Sequence, residues 1–287
     1  MSRAHRSSIL TPSLAAAALL AALCLPAAGA AGFSGSSRSV EKMDHSAEQV
    51  IRFAKQVEQT LADKGARVAV LGRMGRPASE LPEGMHYTHI AFAVYSEIQT
   101  ADGQKHLGYA IHNLYQLDGR PDVSGLVVDY PVDFFSGAVE LEAGVLIPSP
   151  TLQQRLLDVI TSPRYQTLHE PAYSVIANPY TLGRQNCTEF TLDVIQSAIY
   201  QTGDVQTIKT ANRKYFTAQK VNVSPLKLTL GSLFSREVSL ADQEGEPVTA
   251  TFETIARYLG QYDQGSNSFT VRLAAAIELP SPSQALR

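Results

Sequence analysis

Residues Asn178 to Ile195 read NPYTLGRQNCTEFTLDVI, and their character changes at Cys187. The first half is rich in Pro, Gly and polar residues, the composition of a loop. The second half is an apolar helical pattern, with Phe190, Val194 and Ala198 recurring on one face. Asn186 is a suitable N-cap, and Glu189 three residues on fits a capping box. Cys187 is therefore predicted in the first turn, among unpaired backbone N–H groups at the positive end of the helix dipole. That setting favours a thiolate and predicts a low-pKa, solvent-reachable sulfur of the kind a nucleophile needs.

On the N-terminal side, Val50, Ile51, Ala54, Val57 and Leu61 mark an amphipathic helix over Ser46–Lys64, ended by Gly65. A strand over Val68–Leu71 and a Gly- and Pro-containing loop from Gly72 to Gly84 follow. Tyr87–Tyr95 is a second strand, with His89, Ala91, Ala93 and Tyr95 on one face and Ile90, Phe92 and Val94 on the other. Asp102-Gly103 marks a hairpin turn, and Gly108–Tyr115 is the return strand. A third strand lies at Leu126–Asp129. A helix over Thr151–Thr161 turns Leu152, Leu156, Val159 and Ile160 inward. Beyond Gly203 the pattern is less regular. It holds a strand over Val221–Leu230 broken by Pro225, a short helix over Thr249–Tyr258 and a strand at Phe269–Leu273. No internal repeat is visible, and the reading is one α+β domain with a C-terminal extension.

Composition narrows the class. Of 287 residues 44% are hydrophobic and 18% charged, as in a packed globular protein, and the net charge of −3 gives no basic excess for nucleic acid. Arg3 and Arg6 precede an Ala/Leu run from Leu14 to Leu25, and Ala28-Gly29-Ala30 has the small-x-small form of a cleavage site. This is the pattern of a cleaved secretory signal, too short to span a bilayer, and no other stretch is apolar enough to do so. Cleavage removes Cys24, so Cys187 would enter an oxidising compartment with no internal partner for a disulfide. The expected organisation is a signal at 1–30, a flexible lead-in at 31–45, a core at 46–202, an extension at 203–279 packed on the core, and a disordered tail at 280–287.

A cysteine nucleophile needs a base, and the base needs an orienting group. Among the seven histidines, His5 leaves with the signal, His45 and His106 lie in surface segments, and His169 is in a loop beside Pro171. His86, His89 and His112 remain, the last two on paired strands. No HxH or HExxH spacing exists, so no metal and no cofactor is expected. A serine hydrolase lacks its GxSxG elbow.

Thr88-His89-Ile90-Ala91-Phe92-Ala93-Val94 resembles the histidine strand of NlpC-type, papain-like cysteine peptidases. Ala110-Ile111-His112-Asn113 is similar to their next strand, and Asn186-Cys187-Thr188-Glu189-Phe190 to their cysteine helix. The cysteine comes last here, as in the circularly permuted branch that includes lecithin:retinol acyltransferase relatives. The whole chain also resembles a secreted bacterial family, DUF2145. The resemblance implies an antiparallel sheet packed on the cysteine-bearing helix, with Cys187 as nucleophile, His89 as base and a third polar residue on the next strand. That residue is His112 or Asn113, and only one of two adjacent strand residues can face His89. The Ile111-His112-Asn113 match points to His112. The Cys187 N–H, with a side-chain amide from Gln185 or Asn186, would bind the oxyanion. The implied function is a secreted or periplasmic hydrolase or acyltransferase acting on a cell-envelope peptide or lipid. The alternative is a non-catalytic envelope binding protein, its cleft lined by Tyr87, Tyr95, Tyr109, Tyr115 and Tyr180.

Overall fold

The first helix, α1 (Ala47–Asp63), begins in a complete capping box. The Ser46 hydroxyl accepts from the Gln49 N–H at 3.2 Å, and the Gln49 side chain accepts from the Ser46 N–H at 2.9 Å. Val50, Phe53, Ala54, Val57 and Leu61 form its buried stripe, while Ile51 is exposed. Gly65, at φ +63°, supplies the left-handed turn that ends it. This computed structural model describes residues 45–100, 102–221 and 238–274. The signal, most of the lead-in, the tail and nearly all of the strand expected at Val221–Leu230 lie outside them.

Six strands form one sheet: β1 (Val68–Arg73), β2 (His89–Gln99), β3 (Lys105–Leu117), β4 (Arg120–Asp129), β5 (Glu142–Ile147) and β8 (Asn267–Arg272). Their order is β4-β3-β2-β1-β5-β8, and every neighbouring pair is antiparallel. A separate two-stranded ribbon pairs β6 (Gln219–Lys220) with β7 (Val248–Thr249). The alternation along β2 divides the core in two. Ile90, Phe92 and Val94 join one cluster with residues of α3 (Pro150–Ile160), α5 (Cys187–Tyr200) and α7 (Phe252–Tyr262). Ala91 and Ala93 join the other, with α1 and α2 (Pro131–Ser136). The described residues also include the helices α4 (Pro163–Thr167) and α6 (Val205–Tyr215). The fold is α+β, a six-stranded antiparallel sheet with helices.

Three stretches differ from the sequence reading. The irregular region expected beyond Gly203 starts with α6. Asp204 caps it by accepting from the N–H groups of Gln206 and Thr207. Its buried side carries Lys209 and Asn212 beside Ile208 and Ala211, which hides the apolar period. The segment read as an extension is part of the sheet, because β8 pairs with β5, Phe269 opposite Val145. α7 then lies close on the sheet above Gly72 and Gly144, which are register partners on β1 and β5. A Cβ at Gly144 would stand 2.6 Å from the Tyr87 ring and 2.9 Å from that of Phe252, so only glycine admits these rings there. Finally, α5 is buried on all sides from Cys187 to Ala198 rather than along one stripe, since α3, α6 and the sheet enclose it.

Candidate active site

Asn186 caps α5 as its sequence implies, its side-chain oxygen accepting from the Glu189 N–H at 2.8 Å. Cys187 therefore opens the helix. The backbone N–H groups of Ile90 and Thr188 lie where they favour a negative charge on its sulfur. The Ile90 N–H brings the thiol against β2 at the residue that follows His89. A cleft of about 280 Å³ reaches Cys187 between Thr88, Asn186 and Thr188, with walls that include Leu81, Pro82, Met85, Val175 and Ile176. Cys187 lines the cleft and His89 does not; the imidazole faces Tyr115 of β3 and Phe134 of α2. Among the described residues no group of three or more His, Cys, Asp or Glu side chains is arranged to hold a metal.

The imidazole is held by a relay. Asp129 Oδ1 accepts from Asn113 Nδ2 at 2.7 Å, and the Ile111 carbonyl accepts from the same nitrogen at 3.2 Å. Those two acceptors fix the orientation of the Asn113 amide, and its oxygen lies 3.0 Å from His89 Nε2. Nε2 must then donate, so the neutral ring carries its proton on Nε2 and a lone pair on Nδ1. Nδ1 has no hydrogen-bond partner although it is buried. The Tyr115 ring stacks on the imidazole at 4.9 Å, and its hydroxyl donates to Asp129 Oδ2 at 3.0 Å. Phe134 of α2 closes the other side at 5.6 Å.

His112 is not in this relay, contrary to the expectation that it orients His89. It is the register partner of Phe92 and shares that residue's face. His89 lies three residues from Phe92, an odd step, and so faces the opposite side. The His112 ring packs edge-on against Tyr165 instead, at 5.9 Å. Asn113, the other candidate, is the residue that meets His89. The amides proposed for the oxyanion are also engaged elsewhere. Gln185 Nε2 donates to the Leu168 carbonyl at 3.2 Å, and Asn186 Nδ2 to the Val175 carbonyl at 2.9 Å. The donors left near the sulfur are backbone N–H groups of the first helical turn.

The match of this chain to known families is specific but functionally silent. The family described as an uncharacterized protein conserved in bacteria, DUF2145, matches residues 60–259. The chain belongs to that family. The matched span contains Cys187, His89, Asn113 and Asp129. No curated protein matches the chain, and no solved structure matches it.

The charge state of the site departs from the sequence reading. Burial pushes the Cys187 thiol up, against the backbone N–H groups and the charge of Arg73, which pull it down. Desolvation disfavours the charged form of any buried acid, and only 6% of Cys187 is exposed. Burial also lowers His89 to about 3, with help from the Arg73 charge and against the Asn113 bond. In this DUF2145 member the thiol and the imidazole thus both rest neutral, and the sulfur is not the thiolate that a helix start suggests. Of the five tyrosines expected to line the cleft, Tyr87 does so; Tyr109 donates to the Ala66 carbonyl and Tyr180 to that of Phe216.

Two groups near the site were not legible as such. Arg73 ends β1 as the register partner of His89 and is 2% exposed. In sequence it belongs to a polar loop. Behind α5, Lys209 of α6 is buried with Asp193 at 2.8 Å and with Glu189. Burial lowers Lys209 to about 7 and raises Asp193.

Proposed function

We propose that this protein is a thiol acyl-transfer enzyme, a hydrolase or acyltransferase, with Cys187 as nucleophile, His89 as general base and Asn113 as the orienting residue. The observation that carries the reading is the Asp129–Asn113–His89 relay. It leaves one imidazole nitrogen as an unpartnered lone pair, and a lone cysteine stands against the next residue of the strand, at the floor of a cleft. A histidine kept in one tautomer with a bare second nitrogen is the arrangement general-base catalysis requires. The resemblance to permuted papain-like enzymes supports the same roles.

In the proposed reaction the thiol proton moves to His89 Nδ1 as the sulfur bonds to a substrate carbonyl. Because both groups rest neutral, transfer and attack proceed together. The oxyanion lies against the N–H groups at the start of α5, which carry the positive end of the helix dipole. The imidazolium then returns its proton to the departing amine or alkoxide as the C–N or C–O bond breaks, leaving a thioester. Water, or an acceptor alcohol or amine, gives up a proton to His89 and attacks the thioester, and the imidazolium returns that proton to the Cys187 sulfur as the C–S bond breaks. Apolar walls suit an acyl group with an apolar body, and each methylene they bury contributes about 0.8 kcal/mol. A lipid ester or a peptide of the cell envelope fits that description.

The test is single-turnover acylation. Incubated with p-nitrophenyl butyrate, the mature protein gains one butyryl group on Cys187 by intact mass, several-fold faster than the acetyl group from the acetate. Cys187→Ala gains none, and His89→Ala slows the gain. Absence of acylation with either ester, in protein whose thiol is alkylated after denaturation, removes the catalytic reading. The neutral, buried thiol is the observation that favours the second reading, an envelope binding protein. That reading requires an apolar ligand to bind Cys187→Ala as well as wild type, with no acyl-enzyme formed.

Secretion belongs to the same proposal. Protein recovered from the periplasm should begin near Ala31 by mass spectrometry. An intact, membrane-held N-terminus would remove the argument that Cys187 is a lone thiol in an oxidising compartment.

A further inference from the structure

We infer that Lys209 and Glu189 join in an amide bond within the chain, with Asp193 as the proton carrier, so that α6 is tied covalently to the helix that carries Cys187. The inference does not depend on the acyl-transfer reading. Lys209 Nζ is in direct contact with Glu189 Oε1, and it stands 2.8 and 3.0 Å from the two oxygens of Asp193. The two acids lie one turn apart on α5, and Glu189 is 20 residues before Lys209. All three side chains are at most 4% exposed. A nucleophile, a carboxyl carbon and a second carboxyl group are thus held together before any bond forms, the condition under which an intramolecular reaction is fastest.

Burial favours the bond. Until it closes, the three groups form an ion cluster in an interior that solvates charge poorly. Glu189 Oε2 is buried with no hydrogen-bond partner. That is costly for a carboxylate oxygen and much less so for a neutral amide carbonyl. Burial also lowers Lys209 to about 7 and raises Asp193, so an uncharged amine and a protonated acid are accessible near neutral pH. The carrier is fixed in place. Gln185 Nε2 donates to Asp193 Oδ2 at 3.4 Å, and Asn212 Nδ2 to Oδ1 at 3.5 Å. Glu189, Asp193 and Lys209 together line a cavity of about 170 Å³, room enough for a released water to leave.

The step is a condensation. A proton passing from the ammonium to Glu189 turns the ion pair into an amine and a carboxylic acid. The Lys209 nitrogen bonds to Glu189 Cδ and gives one proton to Asp193. Asp193 delivers a proton to the Glu189 hydroxyl, which departs as water when its C–O bond breaks. Lys209 keeps one N–H, the other Glu189 oxygen becomes the amide carbonyl, and Asp193 ends in the state in which it began. Nothing is oxidised or reduced, and no co-reactant is consumed.

The test is the intact mass of the full mature protein, denatured after prolonged incubation at neutral pH. It should be lighter than the sequence by one water. Digestion should then release a branched peptide in which Glu189 is joined to Lys209. Lys209→Arg keeps a cation but should have its full mass, and Asp193→Asn, which removes the proton carrier, should leave most chains at full mass. A wild-type chain at full mass overturns the inference. So does a lost water that maps to a single cyclised residue, or to an amide between Lys209 and Asp193. An Asp193→Asn chain that closes the bond as fast as wild type overturns the role of Asp193. If the variants do not fold, the wild-type mass and the branched peptide decide. Acylation of Cys187 by the ester is read separately and stands or falls by itself.

Discussion

Asn113→Ala should lower the acylation rate by about 10²- to 10⁴-fold, the range associated with losing a correctly oriented general base. His112→Ala should leave it within a few-fold. The effect runs through the position of the ring proton rather than through loss of a contact. Asp129 and the Ile111 carbonyl take both protons of the Asn113 amide, so the amide oxygen is what faces His89. Removing that oxygen frees the ring to carry its proton on Nδ1, the nitrogen proposed to accept from the thiol. Asp129→Asn should act in the same direction with a smaller effect, since it allows the Asn113 amide to turn over. Measured with the p-nitrophenyl ester at fixed pH, equal losses in the Asn113 and His112 variants would mean that general disturbance of β3, not tautomer control, is being read. His89 also links the site to stability. Its folded pKa, about 3, lies below the unfolded value near 6.5, so the unfolded chain binds the extra proton in that interval. Stability contributed by the neutral ring is present above about pH 6.5 and is lost as pH falls towards 3.

Lys209→Met should be the most destabilising single change considered, by about 3–5 kcal/mol, because it leaves two buried carboxylates without their cation. Lys209 bridges Asp193 at 2.8 Å and Glu189, all three side chains being at most 4% exposed. Glu189 and Asp193 are one turn apart on α5, so the cluster braces the helix that carries Cys187. Urea unfolding reads the loss directly. The loss should shrink as pH falls. In the variant the carboxylates are raised in the folded state, which then binds more protons than the unfolded one, and stability increases towards acid. Replacing the whole cluster, with Glu189→Gln and Asp193→Asn added to Lys209→Met, should recover part of the stability. A loss under about 1 kcal/mol would mean that the carboxylates already share protons in the native protein.

Local chemistry was legible in the chain itself. Asn186 and Gly65 marked where helices begin and end because caps and left-handed turns depend on residues a few positions apart. The two faces of β2 followed from alternation, and Cys187 at a helix start followed from Asn186 and Glu189. An α+β class with a hairpin around Asp102-Gly103 required no more than that. Register did not follow. Whether His112 or Asn113 faces His89 depends on the pairing of β2 with β3 across the intervening turn, and one residue of slip exchanges them. The edge strand β8 was equally out of reach, since its partner β5 lies more than a hundred residues earlier. Electrostatics was the other gap. A helix start argues for a thiolate only if water is near, and Cys187 is buried; the layers that bury His89 and Arg73 come from α2 and β3. Burial, which only the packed fold decides, turned a predicted thiolate into a neutral thiol and made a buried cation of an arginine that reads, in sequence, as the edge of a loop.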